Sequence, residues 1–249
     1  MHSSKMTTRL TTTIISLIGA PGSGKGTYGS MLASRIPNST FLSVGDILRE
    51  HSEQNANNAV GQAMKETLRS GALADVSFVS EAVLQRLKHA SHQNNLVILD
   101  GFPRSREQAE IVSTWPIELQ RVAALHFNVP DEICISKLLG RRKCSICNGS
   151  FNVNGVNDNG FFMPPILPSD GSCPKQCNHE TDWKKREDDT EETIRKRMKV
   201  YHDETEPVLS YWSERDRLHA IVPYNGVKDI DKMVNAVDKI LTDIQQYKK

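Results

Sequence analysis

A glycine-rich segment with one lysine places the strongest constraint on the fold of this chain. Residues 19–27 read GAPGSGKGT and lie between an apolar, β-branched run at 12–18 and a helix-forming stretch at 27–35. The continuous run is typical of a buried parallel strand. Glycines let the backbone N–H groups point inward, the helix start adds its positive dipole end, and Lys25 adds a mobile charge. This glycine-rich loop therefore predicts a phosphate-binding site, and a turn with an incidental lysine is the alternative.

Short apolar runs and helix-forming stretches alternate along the chain. Strands are predicted from the runs at 12–18, 41–44, 96–99, 123–129 and 220–222. Helices are predicted from periodic apolar residues behind an acidic residue at 75–90, 131–139 and 229–241. Such alternation builds a parallel sheet covered by helices on both faces. We therefore expect an α/β fold of the P-loop NTPase type.

Two stretches interrupt this alternation. Residues 46–70 follow the second strand directly and are predicted to be helical throughout. Residues 143–185 are rich in Gly, Asn, Pro and Cys and contain no long periodic segment. Because a structureless loop of this length is rare in a compact domain, we interpret it as a small inserted domain.

The charge balance argues against a general attraction to nucleic acid or to an anionic membrane. The chain has 249 residues, with 31 Lys and Arg against 30 Asp and Glu, and a formal net charge of +1. No apolar run approaches the length of about 20 residues that a membrane helix needs. We expect a soluble monomer in the cytoplasm, without nucleic-acid or membrane partners. The polar residues 1–11 are interpreted as a flexible terminus, with mitochondrial targeting as the alternative.

Further short motifs follow the loop along the chain. They are SVGDILR at 43–49, LDGFPR at 99–104 with Gln108, GRR at 140–142, REDD at 186–189, and NG at 225–226. Together with the G-x-P-G-x-G-K-G-T pattern of the loop, they resemble the motifs of adenylate kinases and related nucleoside-monophosphate kinases, in the same order. The resemblance covers about residues 12–245, and it implies phosphoryl transfer between a nucleoside triphosphate and a monophosphate.

The resemblance also implies roles for individual residues. ATP would be bound by Gly22, Ser23, Gly24, Lys25, Gly26, Thr27, Arg141 and Gly226. AMP would be bound by Ser43, Arg49, Gly101, Arg104, Gln108, Arg186 and Arg197. Mg²⁺ would be held through water by Asp46 and Asp100. The catalytic side chains would be Lys25, Arg104, Arg141, Arg186 and Arg197.

These residue types suit the chemistry that the resemblance implies. The planar fork of an arginine such as Arg104 matches the oxygens of a phosphate group. Asp100 ends a predicted buried strand, where ligands of parallel sheets bind. Gln108 can donate to and accept from the edge of adenine, whereas UMP/CMP kinases usually carry Asn at that position.

The resemblance predicts a core with two insertions. The core would comprise residues 12–42, 73–139 and 190–249. The helical insertion, residues 43–72, would bind the monophosphate. The lid segment, residues 140–189, would close over the transferring phosphoryl group.

Four cysteines in the lid segment predict a structural zinc site. Cys144 and Cys147 form one pair, and Cys173 and Cys177 form a second pair. Paired cysteines on two turns suit a tetrahedral Zn²⁺. The region resembles the zinc lid that many bacterial and some other long-lid adenylate kinases carry. His179 is an alternative fourth ligand. Free thiols or two disulfides are the other interpretations.

Three functions are consistent with the sequence. The first is reversible Mg²⁺-dependent transfer from ATP to AMP, which gives two ADP. The second uses GTP as donor or another monophosphate as acceptor, because Lys137 and Val44 depart from the usual family residues. The third is a non-catalytic, zinc-containing module that binds nucleotides, and the set of arginines argues against it.

Overall fold

Ten strands lie in the part of the chain that the computed structural model describes, residues 10–70, 72–147, 149–168 and 181–246, and those of the central sheet are separated by helices. The strands are β1 (Thr13–Ile18), β2 (Ser39–Ser43), β3 (Leu96–Asp100), β4 (Val122–Phe127), β5 (Arg141–Cys144), β6 (Ser150–Asn152), β7 (Val156–Asp158), β8 (Phe161–Met163), β9 (Trp183–Lys184) and β10 (Leu218–Ile221).

Nine α-helices lie in these residues. They are α1 (Lys25–Arg35), α2 (Val44–Gln54), α3 (Ala59–Ser70), α4 (Val76–Ser91), α5 (Arg106–Val112), α6 (Asp131–Leu139), α7 (Glu191–Val200), α8 (Val208–Ser213) and α9 (Ile230–Gln246). A π-turn, Tyr201–Thr205, continues α7. None of the described helices is both long and apolar enough to cross a membrane.

The central sheet is parallel throughout and has the strand order β10-β4-β1-β3-β2. In its middle, Leu17 of β1 pairs with Asp100 of β3, and Ile18 pairs with His126 of β4. Because all strands run in one direction, their carboxyl ends meet at a single edge. The loops that leave these strands therefore converge there, and the predicted α/β fold of P-loop type is confirmed.

Helices on both faces explain why the first strand is apolar without interruption. Successive side chains of a strand point to opposite faces. Ile14 packs against Val83 of α4 on one face, whereas Ile15 packs with Leu32 of α1 and Val237 of α9 on the other. Burying a side chain of this size stabilises the fold by about 1.5–3 kcal/mol. This packing fixes the end of β1 where the glycine-rich loop begins.

The helical insertion consists of two helices, so the uninterrupted helix predicted over 46–70 is wrong. Between α2 and α3, Asn55 Nδ2 donates to His51 O at 2.9 Å, and Asn58 Oδ1 accepts from Gly61 N at 3.0 Å. Asparagine side chains compete for backbone groups in this way and end helices. The break folds α3 back against α2 and brings it beside the cleft described below.

The described part of the lid segment is built from short antiparallel strands. β5 pairs with β6 and β9, while β7 and β8 form a separate hairpin. Its interior includes the buried Cys144, beside the stacked rings of Phe151 and Trp183, whose centroids are 4.3 Å apart. The predicted metal ligands Cys173 and Cys177, and the alternative His179, lie outside the described residues.

The amino-terminal end of the described chain is attached to the core. Leu10 forms a parallel bridge with Ile117 and donates its N–H to Pro116 O at 2.7 Å. Residues 1–9, most of the predicted flexible terminus, lie outside the described residues.

Candidate active site

The carboxyl edge of the sheet borders one large cleft of about 1020 Å³. This volume lies at the upper end of the range of about 300–1,000 Å³ for small-molecule pockets. The following residues predicted for nucleotides and Mg²⁺ line the cleft: Gly22, Ser23, Gly24, Lys25, Gly26, Thr27, Ser43, Asp46, Arg49, Asp100, Gly101, Arg104, Gln108, Arg141, Arg186, Arg197 and Gly226.

The backbone of the glycine-rich loop has conformations and contacts that favour glycine. Gly22 and Gly24 have φ values of 91° and 95°, in the left-handed region that side chains disfavour. A Cβ on Gly22 would lie 2.3 Å from the carbonyl oxygen of Cys134, and one on Gly24 would lie 2.9 Å from the Tyr28 ring. The loop thus packs directly against α6, which holds it in its curled form.

The start of α1 is an anion-binding element. Polar side chains cap α2, α4, α5 and α7, namely Ser43, Asp75, Ser105 and Thr190. Helix α1 instead begins after Gly24, and no described side chain caps it. Its first N–H groups and its positive dipole end therefore suit a phosphate group placed in the loop.

Lys25 lies inside the curl of the loop. Its Nζ donates to the carbonyl oxygens of Gly19 at 2.5 Å and Ala20 at 2.8 Å. Burial lowers the pKa of Lys25 from 10.5 to about 8, and the Asp100 carboxylate only partly opposes this shift. A bound phosphate would favour the charged ammonium and raise this pKa again.

Asp100 ends β3 and faces the beginning of α1. A Cβ on Gly26 would lie 3.4 Å from Asp100 Oδ2. Burial raises the pKa of Asp100, against the lowering effect of Lys25 and Arg104. A carboxylate beside a phosphate-binding loop fits Mg²⁺, which prefers oxygen ligands and retains several waters. Gly26 adds no side chain between the helix and this carboxylate.

The turn after β3 places Arg104 and Gln108 together. Gln108 is buried in the first turn of α5, and its Oε1 accepts the N–H of Arg104 at 2.8 Å. One acceptor position of the amide is thus used to hold the turn. Burial lowers the pKa of the Arg104 guanidinium, and the Asp100 carboxylate opposes this. Gly101, with φ 84°, gives the backbone its path toward the cleft.

Arg49 lies on α2 and contacts Asp46, which was predicted to hold Mg²⁺ through water. Its Nη2 lies 2.5 Å from Asp46 Oδ1. Ser43 Oγ accepts the N–H of Asp46 at 3.3 Å and so caps the helix. Burial alone would raise the pKa of Asp46, but the bond to Arg49 outweighs it and the pKa is lowered. The Asp46 carboxylate is therefore committed in part to orienting Arg49.

Three arginines, two at the ends of the lid segment and one in α7, share two carboxylates. Arg141 forms a bidentate pair with Asp189, at 2.7 and 2.5 Å, and Arg186 one with Asp188, at 2.8 and 2.6 Å. Arg197 Nη1 contacts Asp188 Oδ2 at 3.0 Å. Burial lowers the pKa of Arg197 to about 10 despite that carboxylate. The aspartates thus fix three adjacent cations in one wall of the cleft.

One end of the cleft is formed by the loop after β10 and the β7–β8 hairpin. Asp229 accepts from Asn225 N at 2.8 Å and holds the loop that contains Gly226. Phe162 N donates to Tyr224 O at 2.7 Å, which attaches the hairpin to this loop. A Cβ on Gly226 would lie 3.2 Å from the Met163 side chain.

Lys137 lies at the same end of the cleft. Its Nζ donates to Asn154 O in the lid segment at 3.0 Å, and burial lowers its pKa. The ammonium is therefore held by a backbone carbonyl beside the cleft.

Some cleft residues carry no motif and were missed from the sequence. Tyr201, Thr205, Met163 and Val227 all line the cleft. For Tyr201 and Thr205 a signal existed, since they follow Arg197 at steps of four residues along one helical face. Met163 and Val227 are brought to the cleft by tertiary contacts alone.

The first cysteine pair has a polar environment that suits a metal-bound thiolate. The N–H groups of Ile146 and Cys147 point at Cys144 Sγ at 3.4 and 3.5 Å, and Gly149 N points at Cys147 Sγ at 3.3 Å. Hydrogen bonds to the charged form favour it. Within residues 10–70, 72–147, 149–168 and 181–246, no three His, Cys, Asp or Glu side chains form a metal-binding group.

A lysine-bearing loop at an uncapped helix start, on the carboxyl edge of a parallel sheet, defines a P-loop protein that binds nucleotide phosphates. The arginines that line the same cleft add a second group of cations that suits phosphate oxygens. The family model for adenylate kinase matches residues 17–217, and the chain therefore belongs to the adenylate kinase family.

Individual relatives match over most of their length. A GTP:AMP phosphotransferase from Plasmodium falciparum is 36% identical over 220 residues, which is 87% of this chain and 92% of that protein. An adenylate kinase from Caldicellulosiruptor saccharolyticus is 36% identical over 222 residues, covering 88% and 95%. An adenylate kinase from Methanothrix thermoacetophila is 34% identical over 233 residues, covering 93% and 99%.

Gly22→Ala should weaken ATP binding by at least about tenfold, or about 1.4 kcal/mol, because the new Cβ would lie 2.3 Å from the Cys134 carbonyl oxygen. Gly160→Ala is the matched control, since Gly160 has φ 81° but nothing within 4 Å of its Cβ. It should cost about 1–2 kcal/mol of stability without changing ATP affinity. Calorimetric titration measures the ATP affinity of the two variants, and urea unfolding measures their stability. Equal ATP affinity in the two variants would contradict a role for the packing of Gly22 against Cys134.

ATP affinity should fall as the pH rises from 7.5 to 9.5, since Lys25 loses its proton around its pKa of about 8. We expect a decrease of up to about tenfold.

The same pKa shift affects stability. In the unfolded chain, Lys25 keeps its proton up to a pH of about 10.5. The lowered pKa in the folded protein therefore reduces the free energy of unfolding below pH 8, and this loss disappears as the pH rises from 8 to 10.5.

Calorimetric titrations across this range check the pH prediction. Lys25→Arg is the control, because a guanidinium stays protonated throughout, and its ATP affinity should be nearly flat. An equally steep decrease in the arginine variant would assign the pH dependence to another group.

Proposed function

We propose that the protein catalyses reversible, Mg²⁺-dependent transfer of the γ-phosphoryl group of ATP to AMP, giving two ADP. The observation that carries the proposal is the convergence of the lysine-bearing loop and the arginines on one cleft. Phosphoryl transfer needs two substrates in line, neutralised charge and little covalent help from the protein. The cleft offers these conditions.

The donor phosphates would lie in the glycine-rich loop. Its N–H groups, the start of α1 and Lys25 would bind the β- and γ-phosphate oxygens. Asp100 would hold Mg²⁺ through water, and a bound Mg²⁺ would neutralise charge on the phosphates. Gly226 and its loop would meet the donor base through backbone groups.

The acceptor would lie between α2 and the turn after β3. Arg49 and Arg104 would bind the phosphate of AMP, with Ser43 and Gly101 beside it. Gln108 would contact adenine through the amide groups not used on Arg104 N. Because these two arginines come from different elements, they can bind a phosphate from two sides.

Transfer joins the acceptor phosphate oxygen to the γ-phosphorus as the bond from that phosphorus to the bridging oxygen breaks. The electron pair of the broken bond stays on the β-phosphate of the leaving ADP. Arg141, Arg186 and Arg197 would stabilise the charge on the transferred group from the wall fixed by the aspartates. No side chain is needed as a general base.

Motion of the two insertions would complete the site. We propose that residues 43–72 and 140–189 move relative to the core, residues 12–42, 73–139 and 190–249. Closure would exclude water, so that transfer to AMP competes successfully with hydrolysis.

GTP is a second candidate donor. A relative at 36% identity carries the name GTP:AMP phosphotransferase. In this chain the Lys137 ammonium is held by Asn154 O at the end of the cleft assigned to the donor base. On the acceptor side, the buried Val44 lines the cleft and would present an apolar surface to the base of the monophosphate.

We also propose a structural Zn²⁺ in the lid segment, bound by Cys144, Cys147, Cys173 and Cys177. The N–H groups directed at the first two sulfurs support it. The short strands β5 to β9 bury few apolar side chains, and a bound metal would supply folding free energy in their place.

Arg104→Ala should reduce transfer to AMP by at least about a thousandfold and leave ATP affinity within about twofold. Arg106→Ala is the matched control, because Arg106 lies two residues away but is exposed and bonded to Glu110. A coupled assay with ATP or GTP against AMP, CMP and UMP measures the rates. Activity that survives in Arg104→Ala, or a wild type inactive with every pair, would refute the proposal.

The purified protein should contain about one zinc per chain by metal analysis. Cys144→Ser should lose the metal and lower the unfolding temperature, whereas Cys134→Ala should keep the metal, because Cys134 is buried in α6. A metal-free wild type that unfolds at the same temperature with and without a chelator would exclude the zinc site.

A further inference from the structure

The backbone of Arg104 is held at both its N–H and its carbonyl oxygen by buried side chains. On one side, Gln108 Oε1 accepts its N–H at 2.8 Å. On the other side, Thr205 Oγ1 donates to its carbonyl oxygen at 2.9 Å, across 101 residues of sequence. We propose that Thr205 is a positioning residue that orients Arg104 toward the acceptor phosphate. This inference rests on the proposed transfer to AMP.

The Thr205 hydroxyl is committed to the Arg104 backbone. Thr205 is only 5% exposed, and its hydroxyl donates to Arg104 O. Ser16 Oγ donates to Phe102 O two residues earlier, so the turn after β3 is held at several successive points. The backbone path of the turn sets the starting point of the Arg104 side chain. Thr205 holds the last of these backbone groups, counted along the chain from β3.

The π-turn explains how a residue so distant in sequence reaches this position. Arg197, Tyr201 and Thr205 follow one another at steps of four residues, and all three line the cleft. In an α-helix of 3.6 residues per turn, two such steps rotate a side chain about 80° away from the starting face. Within Tyr201–Thr205 the helix widens, with Glu206 N donating to Tyr201 O at 2.8 Å. The wider turn offsets this drift.

Side-chain contacts to neighbouring elements hold the π-turn in place. His202 lies between Asp131 and Glu206, with both contacts at 2.8 Å. Tyr201 Oη lies 3.3 Å from His126 Nε2 of β4. The turn is thus attached to α6 and to the sheet, so the Thr205 hydroxyl is a fixed donor.

Helix α7 and its π-turn therefore support two arginines, one proposed for the transferred phosphoryl group and one proposed for the acceptor phosphate. Arg197 projects from α7 toward the transferred group, and Thr205, at the end of its π-turn continuation, holds the backbone of Arg104. Removing the hydroxyl would leave the Arg104 carbonyl without this donor and let the turn shift. The effect should fall on the acceptor, because the Thr205 hydroxyl donates to the backbone of Arg104, which we assign to the phosphate of AMP.

Steady-state kinetics of Thr205→Val, which keeps the shape and removes the hydroxyl, tests the inference. We expect the KM for AMP to rise about five- to tenfold, as for the loss of one buried hydrogen bond, with the KM for ATP within about twofold. Thr205→Ser should restore the KM for AMP. The matched control is Thr242→Val, which removes a threonine hydroxyl bonded to Asp238 O at 2.9 Å in α9, and its kinetics should equal wild type.

The outcomes separate this inference from the proposed function. A wild type that does not phosphorylate AMP refutes the function itself. An active wild type with unchanged AMP kinetics in Thr205→Val, or equal increases of both KM values, refutes the positioning role. If the valine variant does not fold, as judged by circular dichroism, Thr205→Ala is measured by the same criteria. A fall in unfolding temperature alone, without the change in AMP KM, also refutes it.

Discussion

The burial of several cations near one another is the constraint on which the carboxyl edge of this sheet depends. Lys25 and Arg197 have lowered pKa values because burial disfavours their charges, and neighbouring cations add to the effect. A buried unpaired charge costs several kcal/mol. Asp100 and Asp188 offset part of this cost. The compensation is incomplete, so the edge keeps an excess of positive charge that phosphate groups can neutralise.

This constraint accounts for how the surrounding elements are built. Arginines that must remain charged next to one another need fixed partners, and Asp188 and Asp189 supply bidentate ones. The glycine-rich loop needs its curled backbone held from behind, and α6 does this where Gly22 packs against the Cys134 carbonyl. Preorganised charges of this kind stabilise developing charge without reorganising during the reaction. The free energy gained by packing the core thus offsets the cost of burying these charges at the carboxyl edge of the sheet.

The sequence predicts the parts of this arrangement that depend on local conformation. The α/β alternation follows from apolar runs and helical periodicity, and the glycine-rich loop follows from its position between a strand and a helix. The break between α2 and α3 was missed, because the capping bonds of Asn55 and Asn58 compete with a helix-forming background. Contacts between residues that are far apart in the sequence could not be predicted. The bond between Thr205 and Arg104 spans 101 residues, and it depends on where a π-turn falls.

The donor end of the cleft and the lid segment form one continuous structure. The β7–β8 hairpin donates Phe162 N to Tyr224 O, and Met163 lies against Gly226. At the same end, Lys137 binds a lid carbonyl. Any group that occupies the space beside Gly226 therefore contacts or displaces the hairpin. If a donor base lies beside Gly226, as we propose, its binding and the position of the hairpin depend on the same backbone contacts.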